Sequence, residues 1–235
     1  LYPLTKDKPK PLLPVAGKPV LEHILERILP LEDVDGIFIV TNAKFYGHFE
    51  KWLAEFKEKT RPLKGIEVVN DGTASNEDRL GAMGDLRYVI KSKRIADDLL
   101  VVSGDNIFTF DLRGLVERCS ESHANVIGLY DVGSLNEAKK FGVVALDGDR
   151  VVGFEEKPSE PKSTLTSIGI YAYNRDVAGA LEDYFKEGNR PDNPGFFVEW
   201  LHKHVPVEGR SFQGKWFDIG SFESLKQADE ELSMR

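Results

Sequence analysis

The chain has 235 residues, 41% of them hydrophobic and 30% charged, enough to bury a proper core with an ordinary globular balance. Its formal charge of −8 argues against nonspecific nucleic-acid binding, and its longest apolar runs, at 37–40 and 99–102, fall far short of the roughly 20 residues of a membrane span. The single cysteine, Cys119, excludes an internal disulfide or CxxC metal site, and residues 1–19 mix lysines and prolines where a signal peptide would be apolar, so a reducing, cytoplasmic setting is the simplest expectation.

Apolar spacing through Val20, Leu21, Ile24, Leu25 and Ile28 predicts a helix over 18–29, stopped by Pro30. A buried strand is expected at 36–41, an amphipathic helix at 45–59, a strand at 66–69 and a polar loop over 70–80. A helix at 81–91 follows, then a buried strand at 99–103 ending in Gly104-Asp105-Asn106, a helix at 112–122 and a strand at 125–130. This alternation predicts a parallel sheet covered by helices on both faces. The second half changes character. Residues 142–146 and 150–156 read as a hairpin closed by Asp147-Gly148-Asp149, and 166–173 as a further strand. Helices are expected at 176–186, 196–203 and 221–232. No long linker or repeat divides the chain, so one mixed-sheet domain over 1–235 is expected. A doubly wound fold usually opens on a strand and a phosphate-binding turn. These residues begin with Leu1-Tyr2-Pro3-Leu4-Thr5, after the place where such a turn would sit.

Ligands of open parallel sheets bind beyond the carboxyl ends of strands, and Asp105 sits at such an end. A carboxylate there can hold Mg²⁺, which prefers oxygen ligands, or can cap the next turn. Asp218, within Trp216-Phe217-Asp218-Ile219-Gly220-Ser221, has apolar neighbours and needs a cation or several donors if buried. It could join Asp105 on one metal, or cap the last helix, a role Ser221 could fill equally well. Lys157, in Glu155-Glu156-Lys157-Pro158, could meet a phosphate or simply be solvated. Lys6, Lys8, Lys10 and Lys18 make the start locally basic; charge alone reads as a solvated loop. Pro9, Pro11 and Pro14 stiffen the segment carrying Lys10, and preorganised charge stabilises a transition state better than mobile charge. The histidines lack metal-ligand spacing, and His202 and His204 read as surface residues. Tyr171, Tyr173, Phe196, Phe197 and Trp200 read as core. No GxSxG or GxxxxGK[ST] motif is present.

The order of these motifs is more specific than any one of them. Leu1-Tyr2-Pro3-Leu4-Thr5 with Lys10-Pro11-Leu12-Leu13-Pro14-Val15-Ala16-Gly17-Lys18-Pro19 resembles the second half of the signature of sugar-1-phosphate nucleotidyltransferases. Val102-Ser103-Gly104-Asp105-Asn106, Phe141-Gly142-Val143-Val144, Phe154-Glu155-Glu156-Lys157-Pro158, Ser167-Ile168-Gly169-Ile170-Tyr171 and Trp216-Phe217-Asp218-Ile219-Gly220 follow in the family's order. The chain looks most like the glucose-1-phosphate thymidylyltransferase branch. The family's Gly-rich loop would precede Leu1 and is not among these residues.

The resemblance implies a Rossmann-like α/β fold with a mixed, mainly parallel sheet, of the nucleotide-diphospho-sugar transferase type. It implies an enzyme joining a nucleoside triphosphate (NTP) to a sugar 1-phosphate, releasing pyrophosphate, with glucose 1-phosphate and dTTP or UTP as the first expectation. Asp105 and Asp218 would bind the cofactor Mg²⁺, and Lys10 would act on the triphosphate. Lys157 would hold the sugar phosphate, and Glu156, Asn106, Gly142 and Gly169 would line the sugar pocket. Asn70 and Gly81 fall where the family reads the base, although 71–80 departs from the thymidylyltransferase pattern. No nucleic-acid or membrane partner is expected, and a homo-oligomer is left open. A noncatalytic nucleotide-sugar-binding relative remains an alternative. So does a metal-dependent glycosyltransferase, for which Asp147-Gly148-Asp149 has the Asp-x-Asp text but sits in an expected hairpin turn.

Overall fold

The expected elements form where their apolar periodicity finds a face to bury. The computed structural model describes residues 1–75 and 77–234; Asn76, in the polar loop expected at 70–80, lies outside the described residues. Strand β1 (Pro14–Val15) folds back on β2 (Lys18–Pro19), and α1 (Val20–Ile28) follows. Val20, Leu21, Ile24, Leu25 and Ile28 are its buried stripe. Burying each is worth about 1.5–3 kcal/mol, which outweighs the lower helix propensity of Val and Ile. Next come β3 (Gly36–Thr41), α2 (Ala43–Thr60) and β4 (Gly65–Asn70). Asn42 starts α2 by accepting the Phe45 N–H at 3.1 Å.

The chain continues through α3 (Ala82–Lys93), β5 (Leu99–Val102), β6 (Asn106–Phe108), α4 (Arg113–Ser122), β7 (Asn125–Asp131) and the short α5 (Leu135–Ala138). Strands β8 (Gly142–Asp147) and β9 (Arg150–Glu156) form the expected hairpin. Its Gly148 takes φ 59°, a region an L side chain rarely adopts. Then come β10 (Leu165–Tyr173), α6 (Val177–Lys186), α7 (Pro194–Leu201), β11 (Val207–Ser211), β12 (Trp216–Asp218) and α8 (Phe222–Ser233).

The class is mixed α/β, but the expected majority of parallel pairs is not found. Strands β3 and β4 pair parallel, as do β7 and β11; the other described pairs are antiparallel. The cause is β10. It inserts between β5 and β7 and runs opposite to both, with Tyr171 facing Val101 on one side and Ile127 on the other. So β5 and β7, linked through α4, run in one direction as the alternation predicts, without being neighbours.

Contacts divide the chain into two units. The first comprises Leu1–Arg79, Ser103–Leu112 and Gly214–Arg235; the second comprises Leu80–Val102 and Arg113–Gln213. The first holds the β1–β2, β3–β4 and β6–β12 pairs, with a core that includes Leu25, Trp52, Phe56 and Ile66. The second holds the sheet β5-β10-β7-β11-β9-β8, with a core that includes Ile127, Tyr173, Leu181 and Phe197.

Candidate active site

In the first unit, Gly104 makes the site's geometry available. A Cβ there would lie a tight 3.1 Å from Cγ of Pro11, so a glycine lets the loop lie this close without displacing the proline-stiffened segment. That approach brings Lys10, on a 3₁₀ turn at Lys10–Leu12, to Asp105, with Nζ 3.4 Å from Oδ2. The Asn106 amide donates to Asp105 Oδ1 at 3.3 Å, and the Trp216 indole N–H donates to Asn106 Oδ1 at 2.7 Å.

Strand pairing brings in the second carboxylate. In the β6–β12 ladder Asp218 faces Asn106, and the Ile219 N–H donates to the Asp105 carbonyl at 2.8 Å. Asp218 does not cap the last helix. Ser221 does, in a reciprocal capping box with Ser224. Gly220 lies close by, since a Cβ on it would be 3.3 Å from Asp218 Oδ2. The Lys10 and Asp105 side chains are 40% and 32% exposed, so a solute can reach them.

The donor chemistry here fits Mg²⁺. Two carboxylates sit on paired backbone segments, and among the described residues no group of three or more His, Cys, Asp or Glu could hold a metal. A site with two protein carboxylates suits a cation that keeps waters and takes phosphate oxygens. Asn70, at the end of β4, spends its side-chain oxygen on the Gly72 N–H at 2.9 Å.

In the second unit, one row of sheet residues gathers most of the expected sugar pocket. Gly142 faces Glu156 across the hairpin and Ser167 on β10. Gly169, at φ 68°, lies in the register shift between Ser167 and Tyr171. Lys157 has left-handed backbone, φ 50°, and its N–H donates to the Phe141 carbonyl at 3.1 Å. Its side chain is 58% exposed, with the ammonium 3.9 Å from Glu156.

Glu156 is the unusual group. Its side chain is only 5% exposed. Oε1 accepts from the Asn193 amide at 2.6 Å, and Oε2 packs over Gly142 and Gly195, where added Cβ atoms would lie 2.9 and 1.9 Å away. Burial pushes its pKa above the ordinary carboxylate value, while the Asn193 hydrogen bond and the Lys157 charge pull it back. Gly81 opens α3 at φ 76°, with the Pro191 carbonyl 2.7 Å from where its Cβ would be. The Met83 N–H donates to that carbonyl at 2.9 Å. The segment from Pro191 to Gly195 therefore touches both Gly81 and Glu156.

Thus Lys10, Asp105, Asn106 and Asp218 meet in the first unit, while Gly142, Glu156, Lys157, Gly169 and Gly81 belong to the second. Asn106, expected to line the sugar pocket, lies beside the carboxylates. Asn193, Gly195 and Trp216 were not singled out in sequence. The signal for Asn193 was Asn-Pro-Gly before an apolar run, a helix start with Pro at its first position. His202, the C-cap of α7, is half-buried with its Nε2 out of solvent, and is not the surface residue expected. Asp147-Gly148-Asp149 lies in an exposed tight turn, as expected. Among the described residues no helix is long and apolar enough to cross a membrane.

Comparison with known proteins agrees with the motif order. Residues 1–234 match the family model described as nucleotidyl transferase. The "Bifunctional protein GlmU" of Methanocaldococcus jannaschii is 31% identical over 99% of this chain and 51% of its own length. A "Putative mannose-1-phosphate guanyltransferase" of Sulfolobus acidocaldarius is 28% identical over 94% of this chain and 56% of its own. The chain thus spans about half the length of the curated relatives it matches. Among solved structures, a "Putative Glucose-1-Phosphate Thymidylyltransferase" from Bacillus anthracis, in complex with a sucrose, superposes with TM-score 0.83 at 26% identity, over 99% of this chain and 90% of that one. A UDP-glucose pyrophosphorylase complexed with UDP-glucose, 19% identical, shares the fold with TM-score 0.80 over 100% of this chain and 94% of its own. With the family model matched over nearly every residue, the chain belongs to the nucleotidyl transferase family.

Proposed function

We propose that this chain transfers a nucleotidyl group from an NTP to a sugar 1-phosphate, giving a nucleotide sugar and pyrophosphate. The observation that carries the reading is the pairing of β6 with β12, which sets Asp105 and Asp218 on adjacent backbone with Lys10 beside them. The reaction is an in-line displacement at the α-phosphorus by an oxygen of the sugar phosphate. Both reactants are polyanions, so charge repulsion and alignment are the chief obstacles. Asp105 and Asp218 would hold Mg²⁺, which supplies charge neutralisation at the phosphates.

Lys10, on its stiff segment, neutralises charge at the triphosphate. Lys157 holds the sugar phosphate, and its side chain, 58% exposed, is open to solvent from which the phosphate would arrive. Glu156, with Gly142 and Gly169 giving room, accepts hydrogen bonds from sugar hydroxyls. Asn70 and Gly81 contact the base. No covalent protein intermediate is needed. The lone thiol, Cys119, is buried with its pKa pushed up to about 12 by desolvation, so it stays protonated and takes no part. Glucose 1-phosphate with dTTP or UTP is the first substrate pair to try, and a cytoplasmic setting suits both substrates. Across the relatives the named sugars and bases vary, so the class of reaction is better supported than the pair.

The test is pyrophosphate release with Mg²⁺, glucose 1-phosphate and each of dTTP, UTP, CTP, GTP and ATP. Release that needs both substrates and stops with EDTA supports the reading and names the base. No release with any triphosphate across a panel of sugar 1-phosphates, while nucleotide sugars still bind, points to a noncatalytic binding protein. Sugar transfer without pyrophosphate points to a glycosyltransferase.

A further inference from the structure

We infer that Asn193 is a positioning residue, which fixes the Glu156 carboxylate for sugar recognition; this rests on reading Glu156 as a sugar contact. Both ends of the Asn193 amide are committed. Its Oδ1 accepts the Gly195 N–H at 2.8 Å and caps α7, and its Nδ2 donates to Glu156 Oε1 at 2.6 Å. Turning the amide over would set an N–H donor against an N–H and an oxygen against a carboxylate, so one orientation alone satisfies both contacts. The helix start is thereby locked to the carboxylate.

Competing holds on Glu156 are weaker. Lys157 is 3.9 Å away and more than half exposed, so its pull is screened by water. Glu199, from α7, accepts the Glu156 backbone N–H at 3.4 Å and repels the carboxylate through its charge. Tyr171, on β10, is buried and feels the Glu156 charge. A charged group with a 5% exposed side chain needs a strong, well-aligned donor, and among the described residues Asn193 is the one at short range. Gly195 and Gly142 complete the arrangement, because a side chain on either would intrude on Oε2.

The bland reading is that Asn193 only caps the helix. Asn193→Ser separates the two roles, since serine is an equally good N-cap but too short to reach Glu156. The expected result is a rise of about tenfold in KM for glucose 1-phosphate, the scale of one lost hydrogen bond to a charged group. KM for the NTP should barely move, and the melting temperature should fall only at pH values above the Glu156 titration, where the carboxylate is left without its donor. In a Glu156→Gln background, adding Asn193→Ser should raise KM no further, and two independent, additive losses would overturn the inference.

A second readout needs no turnover. With ¹³C-labelled glutamate, the Glu156 carboxyl titration should move to higher pH in Asn193→Ser, because a hydrogen bond to the charged form is lost while Lys157, Glu199 and Tyr171 remain. A midpoint that stays where it is in the wild type would refute the positioning role. If the wild type releases no pyrophosphate at all, the transfer reading fails and this titration alone decides the Asn193 assignment.

Discussion

Asp105 and Glu156 carry the same functional group in contrasting settings. Asp105 is 32% exposed, faces a lysine ammonium at 3.4 Å, and sits on a turn whose partner strand delivers a second carboxylate. Glu156 is almost fully enclosed, and its shortest contact is a neutral amide. On the proposed chemistry, the first setting would exchange one cation for another and meet phosphates with water at hand, and the second would stay dry and offer fixed acceptors to neutral hydroxyl groups. Solvent access decides which task a carboxylate can do, since Coulomb attraction and desolvation both grow as water is excluded.

Breaking the first setting should have the largest effect. Asp105→Asn or Asp218→Asn keeps the shape and removes the charge, and kcat should fall by at least about 10²-fold, the scale for one transition-state stabiliser. Near-wild-type turnover in either folded variant at saturating Mg²⁺ would dissolve the distinction drawn here. Crowding the second setting should do less. Ala is the better helix former by about 1 kcal/mol, yet in Gly195→Ala its Cβ would lie 1.9 Å from Glu156 Oε2. We expect about a tenfold loss in kcat/KM for the sugar phosphate with little change for the NTP. Gly179→Ala in α6, where nothing lies within 4 Å of the added Cβ, is the control and should be silent.

The smallest effect sharpens the comparison through pH. Burial raises the folded-state pKa of Glu156 above its ordinary value of 4.5. A raised carboxyl costs stability only where the unfolded chain would be ionised. That cost is absent at low pH, grows as pH rises through the unfolded value, and is complete above the folded one. Glu156→Gln should therefore be more stable than wild type at about pH 8, and lose that advantage at about pH 4, in paired urea melts. An advantage that is equal at both pH values would mean that the charge is not what the interior resists.

Local pattern made much of this legible. The stripe of α1, the alternation in β10 and the Asp-Gly turn of the β8–β9 hairpin are short-range signals, and each forms close to its expected place. Partner choice is not short-range. Nothing in residues 165–173 states that they will lie between β5 and β7, so the parallel majority was expected wrongly. Strands β6 and β12 are three residues each, too short for any period to register, yet their pairing assembles the carboxylates. Asp105 and Asp218 could be named because they stand in motifs of fixed order. Asn193 could not, because its sequence signal is that of a helix cap, and its second contact lies on a strand far along the chain.

The discontinuous first unit bears on biosynthesis. A ribosome delivers Lys10 and Asp105 early, but Asp218 only with the segment that starts at Gly214. Until that segment arrives β6 has no antiparallel partner, and the unit lacks one of its three stretches of chain. Domains generally fold as units during synthesis, so this one must wait for the stretch that begins at Gly214. On the proposed chemistry, a nascent or prematurely terminated chain holds one carboxylate of the pair and cannot spend triphosphate. Threading a site through distant stretches of sequence makes activity wait on the last of them.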